Sequence, residues 1–153
     1  MKLYLVQHAE AVSKEVDKDR PLSSEGLQNI RKTAYFAADK LILRPALIYH
    51  SGKTRAEQTA QILGKRLNPA EGIKPIDGLK PMDNPAIWAE RLLTISNDLM
   101  LVGHLPHLSR LTSLLTCGDP EKTVVAFRNA SIVCLTGEKE TWSLNWILTP
   151  EMV

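Results

Sequence analysis

The sequence predicts an α/β domain built on a mostly parallel central sheet with an antiparallel edge. Two observations predict it. Short apolar runs that read as buried strands alternate with longer segments whose apolar residues recur at helical spacing, the pattern of a parallel sheet covered by helices. The last two apolar runs have no helix between them, only a turn around Gly137, so they form a hairpin at the sheet's edge.

In chain order, Leu3-Tyr4-Leu5-Val6 is the first strand, and the polar pair Gln7-His8 breaks it off. Leu27, Ile30, Ala34, Ala37 and Leu41 then recur at helical spacing, with Ser23 or Ser24 placed to cap the start. Ala46-Leu47-Ile48-Tyr49 is the second strand. Thr54-Arg55-Ala56-Glu57 has capping-box spacing and opens a helix whose inner face is Ala56, Thr59, Ala60, Leu63 and Leu67. Asn68-Pro69 ends that helix. Residues 70–85 carry three prolines and two glycines, and predict one short strand over 73–76 followed by loop. A helix is expected over 86–95, with Trp88 and Leu92 on one side. Leu99-Met100-Leu101-Val102 is a third buried strand, closed by Gly103-His104. Pro106 suits the first turn of a helix, and Leu108, Leu111 and Leu115 form its inner face. Two last strands are expected over 131–136 and 143–148. The charged loop over 11–22 is the candidate for a mobile rim above a site.

The chain has 153 residues, enough for one domain with a core, and is read as a single domain over 1–153. A hydrophobic share of 44% and a charged share of 24% belong to a globular protein rather than a disordered one. No apolar stretch approaches the roughly 20 residues that span a bilayer, and the N-terminal run is too short for a signal peptide. A cytoplasmic protein with no membrane contact is therefore expected. The formal charge of +2, without a long Lys/Arg run, argues against nucleic acid as a partner. Cys117 and Cys134 lack CxxC spacing and read as buried thiols.

Three segments share one design: a short apolar strand, polar groups at its end, then a helix directly or after a loop. They are Leu5-Val6-Gln7-His8, Ile48-Tyr49-His50-Ser51 running into Lys53-Thr54-Arg55, and Leu101-Val102-Gly103-His104. In a parallel sheet the carboxyl ends of such strands lie on one edge, so His8, Ser51, Arg55 and His104 converge there. Helix starts add free N–H groups and partial positive charge, which suits an anion. The expected site is a phosphate pocket.

On four segments, Leu5-Val6-Gln7-His8-Ala9-Glu10-Ala11, Arg20-Pro21-Leu22-Ser23-Ser24-Glu25-Gly26, Ser51-Gly52-Lys53-Thr54-Arg55-Ala56-Glu57-Gln58-Thr59-Ala60 and Leu101-Val102-Gly103-His104-Leu105-Pro106, the chain resembles the histidine phosphatase superfamily, and within it the small SixA-type phosphohistidine phosphatases. The resemblance runs to about residue 106; the last third agrees in length and pattern only. It implies a three-layer, phosphoglycerate-mutase-like fold. It also implies that His8 is the nucleophile, that Arg55 grips the phosphoryl oxygens, and that a protonated His104 adds charge on them. Gln7, Ser51 and Arg20 are the further candidates for substrate contact. A backbone carbonyl is expected on the second ring nitrogen of His8, to set its tautomer. The implied activity is a metal-independent and cofactor-independent phosphatase. Its partner is a phosphohistidine-bearing protein, or alternatively a small phosphorylated substrate.

Two positions depart from the family pattern. Gln7 stands where the motif has arginine, and Gly52 where proline usually follows the serine. A glutamine donates hydrogen bonds but brings no charge and no fork. Losing one charge-assisted contact of this kind costs about 3–4 kcal/mol, or roughly 10²–10³ in rate. Reduced activity is thus one expectation, and a phosphate-binding module without turnover is the other. Residues 78–85 contain no clear counterpart of the glutamate that protonates the leaving group in mutase-like members, which favours a P–N substrate. Glu10, Asp77 and Asp83 remain as acids able to fold over the site. Among the other residues, His107 is expected on the helix surface near the rim, His50 at its strand end against the loop, and Trp88, Trp142 and Trp146 in the core or on a sheet face.

Overall fold

The computed structural model describes residues 1–153. Six strands form one sheet in the order β3-β2-β4-β1-β5-β6. They are β1 (Lys2–Gln7), β2 (Leu47–His50), β3 (Ile73–Pro75), β4 (Leu99–Gly103), β5 (Ile132–Glu138) and β6 (Thr141–Leu148). The first four run parallel; β5 lies antiparallel to β1, and β6 antiparallel to β5. Helices α1 (Ser24–Asp39), α2 (Thr54–Leu67), α3 (Ala86–Arg91) and α4 (His107–Cys117) supply the connections. The α/β class, the parallel majority and the antiparallel edge are as the sequence predicts.

Alternation along the strands separates two cores. Tyr4, Val6, Ile48, Met100 and Val102 pack under Ile30, Ala34 and Ala37 of α1 and Ala56, Ala60 and Leu63 of α2. Leu3, Leu5, Leu99 and Leu101 face the other way, onto Trp88 and Leu92 and onto Leu108, Leu111 and Leu115 of α4. The result is three layers, with α1 and α2 on one face and α3 and α4 on the other. Trp142 joins the second core, and Trp146 packs on Tyr4 with ring centroids 6.1 Å apart.

Several boundaries differ from expectation. Helix α1 stops at Asp39, and Leu41 lies outside it, exposed, because Ile42 turns the chain at φ 54. Of the two serines offered as caps, Ser23 is used: its side chain accepts from the Gly26 N–H. Thr54 is the first residue of α2, not its cap, so the predicted capping box does not form and Lys53 caps without a side-chain bond. The 86–95 helix is shorter, changing to a 3₁₀ turn over Leu92–Thr94. The hairpin turns at Lys139-Glu140, while Gly137 is inside β5 opposite Trp142. Cys134 is buried but Cys117 is exposed; both are free.

Candidate active site

Strand register brings the site together. Gln7 of β1 pairs with Gly103 of β4, and His50 of β2 with Val102. The next residue on each strand is therefore His8, His104 and Ser51, side by side at the sheet's carboxyl edge. The rings of His8 and His104 have centroids 5.0 Å apart. The Ser51 hydroxyl lies 2.6 Å from His104 Nε2. Arg55, in the first turn of α2, donates its Nε–H to His8 Nε2 at 3.3 Å. The four residues expected to converge do converge.

His8 is held in one tautomer. Its Nδ1 lies 2.7 Å from the Ala9 carbonyl oxygen, so Nδ1 carries the proton and the lone pair is on Nε2. The backbone is fixed as well: His8 N–H donates to the Gly103 carbonyl at 3.1 Å, and the Asn129 side chain donates to the His8 carbonyl at 2.9 Å. Ala9 N–H donates to Thr59 Oγ1 at 3.0 Å. Thr59 and Asn129 are supports the sequence reading missed. Thr59 stands one helical turn after Arg55 and was legible only as an inner-face residue. Asn129 is 121 residues from His8, and no local signal marks it.

The electrostatics follow from burial and neighbours. Burial first, then the Arg55 and Arg20 charges, push the His8 imidazole down to about 4, against the Ala9 bond that opposes them. His104 is pushed down to about 3, by burial and then by His8, Arg55, Lys53 and His107. Both rings are neutral in the free site at neutral pH. For His8 this is the attacking form. For His104 the protonated form implied by the resemblance is not the one the free site holds at neutral pH. Burial also lowers Arg55, with Arg20 adding to it, yet an arginine remains charged.

Around these rings the first turn of α2 is open. The N–H groups of Thr54 and Arg55 make no intramolecular hydrogen bond, and they end the helix beside His8. Gln7 is half-buried, and its Oε1 has no hydrogen-bond partner. Gly52 adopts φ 88, which proline's ring forbids, so the departure there reflects a different loop conformation.

The loop over 11–22 is closed at its base by a bridge between Ala11 and Leu22. Glu10 accepts from the Ser23 hydroxyl at 2.8 Å, and Asp83 accepts from its own loop's Lys80 N–H at 2.9 Å. Of the three carboxylates considered as acids, Glu10 and Asp83 are thus engaged by Ser23 and Lys80, while the exposed Asp77 accepts from the Arg91 side chain through its backbone carbonyl only. His50, at its strand end, accepts from the Gly52 N–H at 3.1 Å, as expected. His107 is not on the surface. It is fully buried, neither ring nitrogen has a partner, and it is pushed down to about 4, with Asp83 opposing and Arg110 adding. It lies one turn before Leu111 on the inward face of α4, which the helical spacing already implied. No group of three or more His, Cys, Asp or Glu side chains is placed to hold a metal ion.

Two histidines, an arginine and an open helix start thus meet at the carboxyl edge of the parallel strands of an α/β protein. Its sequence matches the family model of the histidine phosphatase superfamily (branch 1) over residues 3–91. The chain belongs to that superfamily. Among solved structures it is similar to the protein histidine phosphatase SixA complexed with tungstate, at TM-score 0.85 and 21% identity over 99% of both chains. It is also similar to a candidate phosphohistidine phosphatase SixA from Agrobacterium tumefaciens, at TM-score 0.75 and 28% identity over 97% of both chains. A candidate alpha-ribazole-5'-P phosphatase from Escherichia coli matches at TM-score 0.79 and 16% identity over 98% of both. The fold is thus the phosphoglycerate-mutase-like one. A search of curated proteins finds no significant sequence match. No helix is long and apolar enough to cross a membrane.

Proposed function

We propose that this chain is a phosphatase that removes the phosphoryl group from phosphohistidine on a partner protein, through a covalent intermediate on His8. The observation that carries the reading is the neutral His8 with its Nε2 lone pair aimed at Arg55. As a phosphoryl group enters, the Arg55 guanidinium moves its donors from His8 Nε2 to the phosphoryl oxygens. The Nε2 lone pair then attacks phosphorus, and the bond from phosphorus to the substrate's imidazole breaks, with the leaving ring protonated. Water attacks phospho-His8 and releases inorganic phosphate, restoring the free ring. The incoming dianion raises the His104 pKa, so His104 takes up a proton and supports the charge spreading over the oxygens. Ser51 orients His104 through its Nε2, and the α2 N–H groups supply further donors. The scheme uses no metal or cofactor.

The choice of a P–N bond rests on the carboxylates. Glu10 and Asp83 are bonded elsewhere, which leaves the exposed Asp77 as the one candidate acid for an alkoxide leaving group, whereas a protonated imidazole leaves without one. A cytoplasmic location is part of this proposal, and the exposed free thiol of Cys117, which suits a reducing compartment, supports it.

The test is to react wild type and His8→Ala with a labelled phosphohistidine peptide and quench. We expect acid-labile label on wild type and none on His8→Ala; equal labelling overturns the proposal. The neutral Gln7 motivates a second reading, a phosphohistidine-binding module. Peptide binding without turnover in wild type, with turnover in Gln7→Arg, selects it. Faster hydrolysis of a sugar phosphate than of the peptide selects a small-ester phosphatase.

A further inference from the structure

The motif position before His8 lacks its guanidinium, so Arg55 is left as the one arginine of the motif able to grip a dianion. Three observations converge on Arg20. The first is position. Arg55, Gln58 and Thr59 share one face of α2. Thr59 Oγ1 accepts the Ala9 N–H at 3.0 Å and Gln58 Oε1 accepts the Leu22 N–H at 2.7 Å. Both ends of the loop are therefore tied to the turn after Arg55, and Arg20, two residues before Leu22, is brought to the same flank of the site. Its positive charge is felt at both His8 and Arg55.

The second is backbone geometry. Arg20 has φ 49, the left-handed region that an arginine seldom occupies. Strained residues of this kind cluster at functional sites and persist where their surroundings hold them. Here the hold is the Arg20 Nε–H donated to the Val12 carbonyl at 3.1 Å and the bridge between Ala11 and Leu22. The third is unspent charge. The molecule has two side-chain ion pairs, Arg66 with Asp39 and Arg110 with Glu121. Arg20, Arg55 and Lys53 have no carboxylate, and the two terminal nitrogens of Arg20 make no hydrogen bond within the chain.

We propose that Arg20 supplies the guanidinium that Gln7 lacks, reaching the phosphoryl group from the loop rather than from the strand and closing a two-arginine clamp with Arg55. The inference rests on the reading of His8, Arg55 and His104 as the phosphoryl site, and it assigns Arg20 a direct contact with the anion.

Titration with tungstate tests it on wild type, Arg20→Gln, Arg20→Lys and the double variant Gln7→Arg/Arg20→Gln. Arg20→Gln is expected to weaken tungstate binding about 10²-fold, and Arg20→Lys less, because the charge stays but the fork is lost. The double variant is expected to recover about tenfold or more of the loss. Rescue from position 7 is a result that a purely structural role for Arg20 does not produce. Wild-type affinity in Arg20→Gln overturns the proposal, and so does a loss that Gln7→Arg leaves unrepaired. The outcome is separable from that of the proposed reaction. Tungstate binding with Arg20-dependent affinity but no turnover removes the catalytic reading and leaves the clamp. Turnover with Arg20-independent affinity does the reverse.

Discussion

His8 is gripped through every atom that could let it drift: ring Nδ1 by the Ala9 carbonyl, backbone N–H by Gly103, backbone carbonyl by Asn129. Thr59 anchors the next residue while donating its own hydroxyl to the Arg55 carbonyl at 2.8 Å, so one side chain ties the His8 strand end to the first turn of α2. Thr59→Val keeps the shape and removes both bonds. It leaves the buried Ala9 N–H unpaired, a cost of about 1–3 kcal/mol, and frees His8 to tilt. Urea denaturation is expected to show that loss, and phosphoenzyme formation is expected to slow more than tungstate binding weakens. At this scale the sequence was most informative where chemistry sits at a strand end. His8, Ser51, Arg55 and His104 were legible because strand ends in a parallel sheet share an edge. Asn129 was not, since its only relation to His8 is a contact across the fold. His107 was misread for a different reason: a polar side chain was assigned to the surface although its spacing to Leu111 and Leu115 placed it inward.

At the scale of elements, the start of α1 is packed onto the site. A Cβ on Gly26 would run into the Glu10 carbonyl oxygen, so the helix can approach this loop only with glycine there. The contact is reinforced by Ser23, which caps α1 and whose N–H donates to the same carbonyl at 2.9 Å. Gly26→Ala is therefore expected to force helix and loop apart, destabilising the fold by about 1–3 kcal/mol as overpacking does. It is also expected to lower tungstate affinity, because Glu10 is two residues from His8; thermal denaturation with and without tungstate reads both effects. Helix α2 shows the opposite choice. Its expected capping box does not form, and the N–H groups of Thr54 and Arg55 have no intramolecular partner. Capping spacing predicted a helix start correctly and its hydrogen bonds wrongly, because a local pattern does not register what lies beyond the helix end.

Over the whole molecule, all four histidines are buried: His8 9%, His50 3%, His104 1% and His107 0% exposed. Burial lowers each of them, to about 4 for His8 and His107 and about 3 for His104, with His50 lowered too. The unfolded chain binds these protons at its ordinary pKa of about 6.5, so between that pH and about 4 it holds more protons than the native state. Stability is thus fully present above pH 6.5 and is lost as pH falls, by about 1.4 kcal/mol per pH unit for each proton taken up. Chemical denaturation across this range is expected to show that slope. His107→Leu is expected to flatten it by one proton. The same change removes two buried nitrogens without partners, so it is expected to leave stability at pH 7 unchanged or raised.

The sequence by itself determined the order of strands and helices, the parallel majority with its hairpin edge, and the residue types at three strand ends. Periodicity and strand-end chemistry are local properties, carried by residues close together in the chain. Only the tertiary structure decided that Gln7 aligns with Gly103 and His50 with Val102, which is what sets His8 beside His104 and Ser51. It alone decided that both histidines are neutral in the free site, since burial and the charges of Arg55, Arg20 and Lys53 reach them through space. It also set Arg20 near Arg55, through two hydrogen bonds between the loop and α2. Those bonds span 36 and 50 residues of chain, and no pattern within a single element encodes a contact at that range.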